Sequence, residues 1–199
     1  MQSAFVSEET FTQEGFREFL GHLPTSDLHH YELVRGRIVM TPPAGWGHSA
    51  LAGALYLRLA ALVARAGRKR GRVFESSVGY ELPSGDTLEP DVSWVSAERW
   101  AAAPQPPSPQ AFLRAVPDLV IEVLSPSTAH RDRTEKAEIY AENGVEEYWL
   151  VDPHRRCVVV FAREVMGFGP GRTWQRGRIV SRVLPDLVIE AEELFAELD

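Results

Sequence analysis

Residues 116–140 read VPDLVIEVLSPSTAHRDRTEKAEIY. The apolar run 119–124 has the length and β-branched content of a buried strand, yet one acid, Glu122, interrupts it. A carboxylate inside a buried strand costs free energy unless it is paired or bound to a cation. Ser125-Pro126-Ser127-Thr128 then turns the chain, and a polar helix is predicted over 129–142, ended by Asn143-Gly144. In that helix Asp132, Lys136 and Tyr140 recur every four residues and share one face. Glu122 is the strongest single pointer to chemistry, although an acid on the solvent side of an edge strand reads the same way.

Downstream, 145–151 reads as a strand and 156–163 as its antiparallel partner. Upstream, strands are predicted at 73–82 and 87–95, joined by Pro83-Ser84-Gly85-Asp86. Pro90 fits badly in a central ladder, so Asp91 is expected to begin a short strand. Residues 97–103 read as one or two helical turns, and the proline-rich loop 104–109 is too short to divide domains. Nearer the N-terminus, residues 7–20 read as a helix with Thr12 as its candidate cap, and Gly36 turns a hairpin over 31–40. In that hairpin Glu32 alternates outward from Tyr31 and Leu33. His22, His29 and His30 read as surface histidines. Leu51, Leu55, Leu59 and Leu62 give a long core-facing helix over 48–65, with His48 at its start. A short acidic helix is expected at 192–198. PDLVIE occurs at 117–122 and again at 185–190, but acids follow the second copy at once, so it reads as coincidence.

The length of 199 residues, 44% hydrophobic and 25% charged, predicts a single globular domain over 1–199. The lone Cys157 excludes an internal disulfide. The chain opens without a basic region followed by an apolar stretch, and Arg58 and Arg65 interrupt its most apolar segment. No signal peptide or membrane span is therefore predicted, and a cytoplasmic location is expected. A net charge of −7 argues against broad non-specific nucleic-acid binding. One local exception is RAGRKRGR at 65–72. Its Arg65, Arg68, Lys69, Arg70 and Arg72 read either as a solvated helix end or as contacts to a phosphate backbone.

Asp91 at the start of one strand and Glu122 near the end of another can bring two carboxylates to one divalent cation. Hard oxygen donors of this kind suit Mg²⁺ or Mn²⁺. If the shared face of the following helix packs toward the sheet, the Lys136 ammonium points into that site. There it can orient or help deprotonate water and offset developing phosphate charge. Asp132, Glu135 and Lys136 also fit an ordinary salt-bridged surface helix. The chain has no phosphate-binding Walker loop, dinucleotide glycine motif, HExxH or GxSxG.

Several stretches together carry a resemblance: YELVRGRIVM at 31–40 with Pro42-Pro43 after it, His48, Pro90-Asp91-Val92, IEVLSPST at 121–128, Lys136, Tyr140, and GVEEYWLVDP at 144–153. Over 31–195 the chain resembles the Uma family of the PD-(D/E)XK nuclease superfamily. The resemblance implies an α/β (α+β) restriction-endonuclease-like core, an open mixed β-sheet flanked by helices. Pro90-Asp91 matches the superfamily's PD, and Glu122 its second acid. Leu124 stands where the pattern wants lysine, and the resemblance implies that Lys136 replaces it from the next helix. Glu32 is then an additional acid and His48 an accessory group. The implied activity is Mg²⁺- or Mn²⁺-dependent endonucleolytic hydrolysis of DNA. The implied partners are DNA and a second copy of the chain, with Trp46, Trp94 and Phe168 as apolar candidates for a homodimer contact. Leu124 and the net negative charge leave another class open: a catalytically inactive nuclease-like fold serving as a nucleic-acid-binding or protein-interaction module.

Overall fold

The computed structural model describes residues 5–199, apart from the side chain of Arg68. After the short strand β1 (Phe5–Val6), Thr12 caps α1 (Gln13–Gly21) by accepting from the Gly15 amide at 3.1 Å. The hairpin β2 (His30–Val34) and β3 (Arg37–Thr41) closes on Arg35 and Gly36, both with positive φ, which is the two-residue turn that matches strand twist. Helix α2 (Trp46–Arg65) then crosses the molecule. By length and composition α2 could span a membrane. Its Leu51, Leu55, Leu59 and Val63 are instead buried against the central sheet.

The predicted strands at 73–82 and 87–95 each divide in two. Residues 72–75 form β4 (Arg72–Glu75) and residues 80–81 form β5 (Tyr80–Glu81), in different sheets. At the break, Gly79 lies flat against Phe112, where a Cβ would sit 2.4 Å from the ring. In the same way β6 (Thr87–Leu88) and β7 (Val92–Val95) belong to different sheets, with Glu89-Pro90-Asp91 between them. Pro90 has no N–H to donate, so the ladder ends there and the chain crosses from one sheet to the other. Helix α3 (Ala97–Ala102) follows.

β8 (Leu119–Val123) lies at the centre, antiparallel to β7 and parallel to β9 (Glu147–Asp152). Two helices make the parallel crossover, α4 (Ala129–Arg133) and α5 (Glu135–Glu142). The sequence predicts one helix here. Thr134 breaks it: its hydroxyl donates to the His130 carbonyl at 2.8 Å, and its backbone leaves helical angles at φ −121° and ψ −92°. The antiparallel strand β10 (Cys157–Glu164) extends the sheet, with β11 (Gly167–Phe168) and β12 (Arg172–Trp174) both pairing to β10. The hairpin β13 (Arg178–Val180) and β14 (Val188–Glu190) precedes α6 (Ala191–Phe195) and a final 3-10 turn. The second PDLVIE copy is thus half of a two-stranded hairpin, while the first is the central strand.

The central sheet runs β11-β10-β9-β8-β7-β4, and β1-β3-β2-β6-β5 forms the other large sheet. Alternation sorts β8 between two cores. Leu119, Ile121 and Val123 pack with α2 and α6; Val120 and Leu124 pack with Ile139 and Tyr140 of α5 and with Val34, Tyr80 and Leu88 of the second sheet. A third cluster joins Phe16 of α1 to Tyr31, Leu33 and Ile38. Both faces of β2 are therefore covered. Glu32 does alternate from Tyr31 and Leu33, but it faces the interior and not solvent.

Glu147 ties the C-terminal hairpin to this frame. It is fully buried and accepts from Trp149 Nε1 at 2.7 Å, Ser181 Oγ at 2.7 Å, and the amides of Arg182 and Val183 at 2.9 and 3.1 Å. Glu147→Leu leaves four donors without an acceptor. A loss of about 3 kcal/mol is expected, lowering Tm by about 6–12 °C. Urea denaturation followed by tryptophan fluorescence measures it, and a change below about 0.5 kcal/mol, the range of neutral surface substitutions, would show that the hairpin does not depend on the carboxylate.

Candidate functional site

The site lies where the chain passes between the two large sheets. A cleft of about 1010 Å³ opens there, lined from the second sheet, the 89–91 crossing, the start of α2, the 125–128 turn and the following helices. Each acid arrives by a separate local rule. Glu122 is one residue from the end of β8 on the α5 side. Asp91 immediately precedes β7, held by the proline that ended the previous strand. Glu32 comes from β2, two positions from Val34 on the same face.

Lys136 joins Glu122 and Glu32. Its Nζ lies 2.6 Å from Glu122 Oε1, 2.9 Å from Glu32 Oε1 and 3.7 Å from Asp132 Oδ1. The break at Thr134 does not separate Asp132 from Lys136; both remain buried on the cleft side. Tyr140, one turn further, donates its hydroxyl to Glu122 Oε1 at 2.9 Å. The shared face expected for Asp132, Lys136 and Tyr140 is therefore present, turned toward β8 and not toward solvent. Leu124 occupies the interior beside Ile139 and Tyr140, so the sheet position has no room for an ammonium of its own.

Asp91 is built into the same cluster from the other side. Its Oδ2 accepts from the Val123 amide at 2.7 Å and sits 3.0 Å from His48 Nε2, while its own amide is 3.4 Å from Glu122 Oε2. His48 reaches it from the first turn of α2. Asp91, Glu122, Lys136, Glu32 and His48 thus line one cleft.

Burial raises Glu122 well above the ordinary carboxyl range; the Lys136 charge opposes this, and the neighbouring acids add to it. Burial likewise raises Asp132 to about 6. For Lys136, burial disfavours the charge, but Glu122, Glu32 and Asp132 override it and hold the ammonium above the ordinary lysine range. His48 is also raised: burial opposes the cation, and the hydrogen bond and charge of Asp91 prevail. Lys136 is accordingly a fixed positive charge. Of the two roles considered for it, orientation and charge compensation fit this state, and deprotonation of water does not.

His30 is not a plain surface histidine. It lines the cleft and its Nδ1 lies 3.4 Å from Glu89 Oε2, while the Glu89 amide donates to Glu32 Oε1 at 2.9 Å. The period of two along β2, which puts His30 on the face of Glu32, was the available signal for it. Arg131 also lines the cleft, and nothing in its spacing marks it out.

The basic stretch 65–72 is not brought to this cleft. It follows the far end of α2, a helix of 20 residues and hence about 30 Å long, whose start carries His48. Arg70 pairs with Asp186, and the Arg72 guanidinium stacks 4.4 Å from the Trp100 ring centroid. Arg65 and Lys69 are exposed, and the Arg68 side chain lies outside the described residues. Of the apolar candidates for a self-contact, Trp94 is buried with its indole N–H on the Arg70 carbonyl at 2.8 Å, so it is core. Trp46 is exposed and Phe168 partly buried against Tyr148.

Comparison with known proteins bears on the fold and the family. The crystal structure of a putative nuclease belonging to DUF820 from Anabaena variabilis ATCC 29413 is similar over 95% of this chain and 99% of that one, with a TM-score of 0.75 at 20% identity. At that identity the likeness bears on fold, and it matches a restriction-endonuclease-like core with an open mixed sheet flanked by helices. No curated protein matches the chain. The model of the Uma2 family, described as "Putative restriction endonuclease", matches residues 16–192. The chain belongs to the Uma2 family.

Proposed function

We propose that the protein is a divalent-metal-dependent endonuclease that hydrolyses DNA phosphodiester bonds. The observation that carries this reading is the convergence of Lys136 on Glu122 and Glu32 in the cleft that also holds Asp91. A lysine from the following helix thereby supplies the charge that Leu124 cannot.

Among the described residues, no group of three or more His, Cys, Asp or Glu side chains is arranged as a ready-made metal site. Mg²⁺ does not need one, because it keeps several waters and takes one or two carboxylates. The donor set fits that style of binding. The Asp91 amide donates to Glu122 Oε2 at 3.4 Å, and six acids (Glu32, Glu75, Glu89, Asp91, Glu122 and Asp132) line the cleft together with a single lysine. The raised Glu122, Asp132 and Glu89 carboxyls reflect burial together with that negative excess, which a dication would relieve. Asp91 and Glu122 would hold the ion, and a bound Mg²⁺ or Mn²⁺ supplies Lewis-acid polarisation of the phosphoryl group. Lys136 orients the attacking water and stabilises charge developing on the phosphate. Tyr140 fixes the Glu122 carboxylate, and His48 fixes that of Asp91.

Cleavage of plasmid and oligonucleotide DNA with Mg²⁺ or Mn²⁺ tests the reading. Asp91→Ala is expected to abolish cutting. Lys136→Ala is expected to lower kcat at least about 100-fold while DNA binding in Ca²⁺ persists. Lys136→Arg should rescue poorly, since a planar guanidinium does not fit between two carboxylates placed for an ammonium. Equal cutting by wild type and Asp91→Ala would remove Asp91 from the site. Tight DNA binding without cutting under any metal would favour the non-catalytic module instead.

The charge excess also predicts a pH dependence of stability. Asp132 titrates near 3.8 when unfolded and about 6 when folded. Below 3.8 both states carry the proton and nothing is lost. Between the two values the folded state holds a proton that the unfolded state has released, so stability falls as pH rises, and the full cost is reached above about 6. Asp132→Asn is therefore expected to stabilise the protein by about 1–3 kcal/mol at pH 8 and by little at pH 4. Thermal melts at both pH values check this, and a gain that does not grow with pH would contradict it.

A further inference from the structure

Four cationic or potentially cationic side chains line the cleft: His30, His48, Arg131 and Lys136. Three of them are already engaged. His30 meets Glu89, His48 meets Asp91, and Lys136 meets Glu122 and Glu32. Arg131 alone has no acidic partner among the described residues, although six carboxylates line the same cleft. Its Nη1 is out of solvent and has no hydrogen-bond partner. A buried, unpaired guanidinium N–H is costly and uncommon in folded proteins. Its neighbour Arg133 shows the ordinary outcome, pairing with Asp152 at 2.7 Å.

We infer that Arg131 is the phosphate-binding residue of the cleft, receiving a phosphate group of the nucleic-acid substrate; this rests on the phosphodiesterase reading given above. A guanidinium offers two parallel N–H groups to two phosphate oxygens, a match that a point charge such as Lys136 does not provide. Arg131 is fixed near the catalytic cluster, because Asp132, next to it in α4, is anchored by Tyr148, whose hydroxyl donates to the Asp132 carbonyl at 2.9 Å. The placement also separates tasks. Lys136 is locked between acids at the reacting centre, and Arg131 is left available to anchor the strand. With the basic stretch 65–72 beyond the far end of α2, Arg131 supplies the anchoring charge that the stretch cannot bring to the cleft.

Fluorescence anisotropy of a short fluorescein-labelled DNA oligonucleotide in Ca²⁺ tests the assignment, with Mg²⁺-dependent cleavage measured in parallel. Wild type, Arg131→Ala, Arg131→Lys and Arg176→Ala are compared, Arg176 being an exposed arginine that does not line the cleft. Arg131→Ala is expected to raise Kd and KM about 10-fold or more, with kcat changed less than about threefold. Arg131→Lys should recover part of the affinity, and Arg176→Ala should bind as wild type. Wild-type affinity in Arg131→Ala, equal weakening in Arg176→Ala, or no binding by wild type would overturn the assignment. The two readings fail separately. Wild-type cleavage with an unaltered KM in Arg131→Ala sinks the Arg131 role alone. Binding that depends on Arg131 without cutting in either metal leaves that role standing and sinks the phosphodiesterase reading.

Discussion

A single buried ammonium joins the parts of this molecule that carry the cleft. Lys136 of α5 takes Glu122 from the central sheet, Glu32 from the second sheet and Asp132 from α4. None of these groups is tolerable alone in its surroundings. A buried carboxylate without a cation, or a buried ammonium without an anion, costs several kcal/mol even after relaxation. The cluster therefore holds three elements in register because separating them strands a charge. That is specificity of arrangement more than net stability, since well-packed apolar residues can match or exceed a buried ion pair energetically.

Glu147 shows what a buried acid looks like when its task is structural. Like Glu122, it lies on a central strand and is shielded from water. Its partners are four neutral donors, Trp149 on its own strand and three groups at 181–183, which together engage both oxygens. Glu122 is satisfied by a lysine and a tyrosine on one oxygen, and its other oxygen turns to Asp91 at the edge of a cleft. The contrast explains why burial of an acid does not by itself identify a site. What distinguishes Glu122 is the convergence of charges from separate elements on an open volume.

The cleft exists because two sheets share one run of chain. Pro90 and Gly79 are the two places where that run leaves one ladder and enters another. Proline does so by lacking a donor, and glycine by allowing a phenyl ring to close on the backbone. Polar residues left at such crossings have no ladder to join, and Glu89 and Asp91 fill that role here. Family membership and the fold are consistent with this arrangement.

The amino-acid sequence by itself determined the central strand with its interrupting acid, the core-facing stripe of α2, the two-residue hairpin at Gly36 and the four-residue spacing of Asp132, Lys136 and Tyr140. These are properties of local periodicity and turn chemistry, which neighbouring residues dictate. Tertiary structure alone decided that 73–82 and 87–95 each serve two sheets, because period-two patterning is the same in either sheet. It also decided that Glu32 points inward, since alternation gives a face but not what covers it. Thr134 divided a helix that spacing reads as continuous, and the length of α2 set the basic stretch far from the acids of the cleft. The engaged state of Lys136, His48 and His30, and the unpaired state of Arg131, depend on contacts between residues tens of positions apart. No local rule encodes those distances, because they are set by how the two sheets pack.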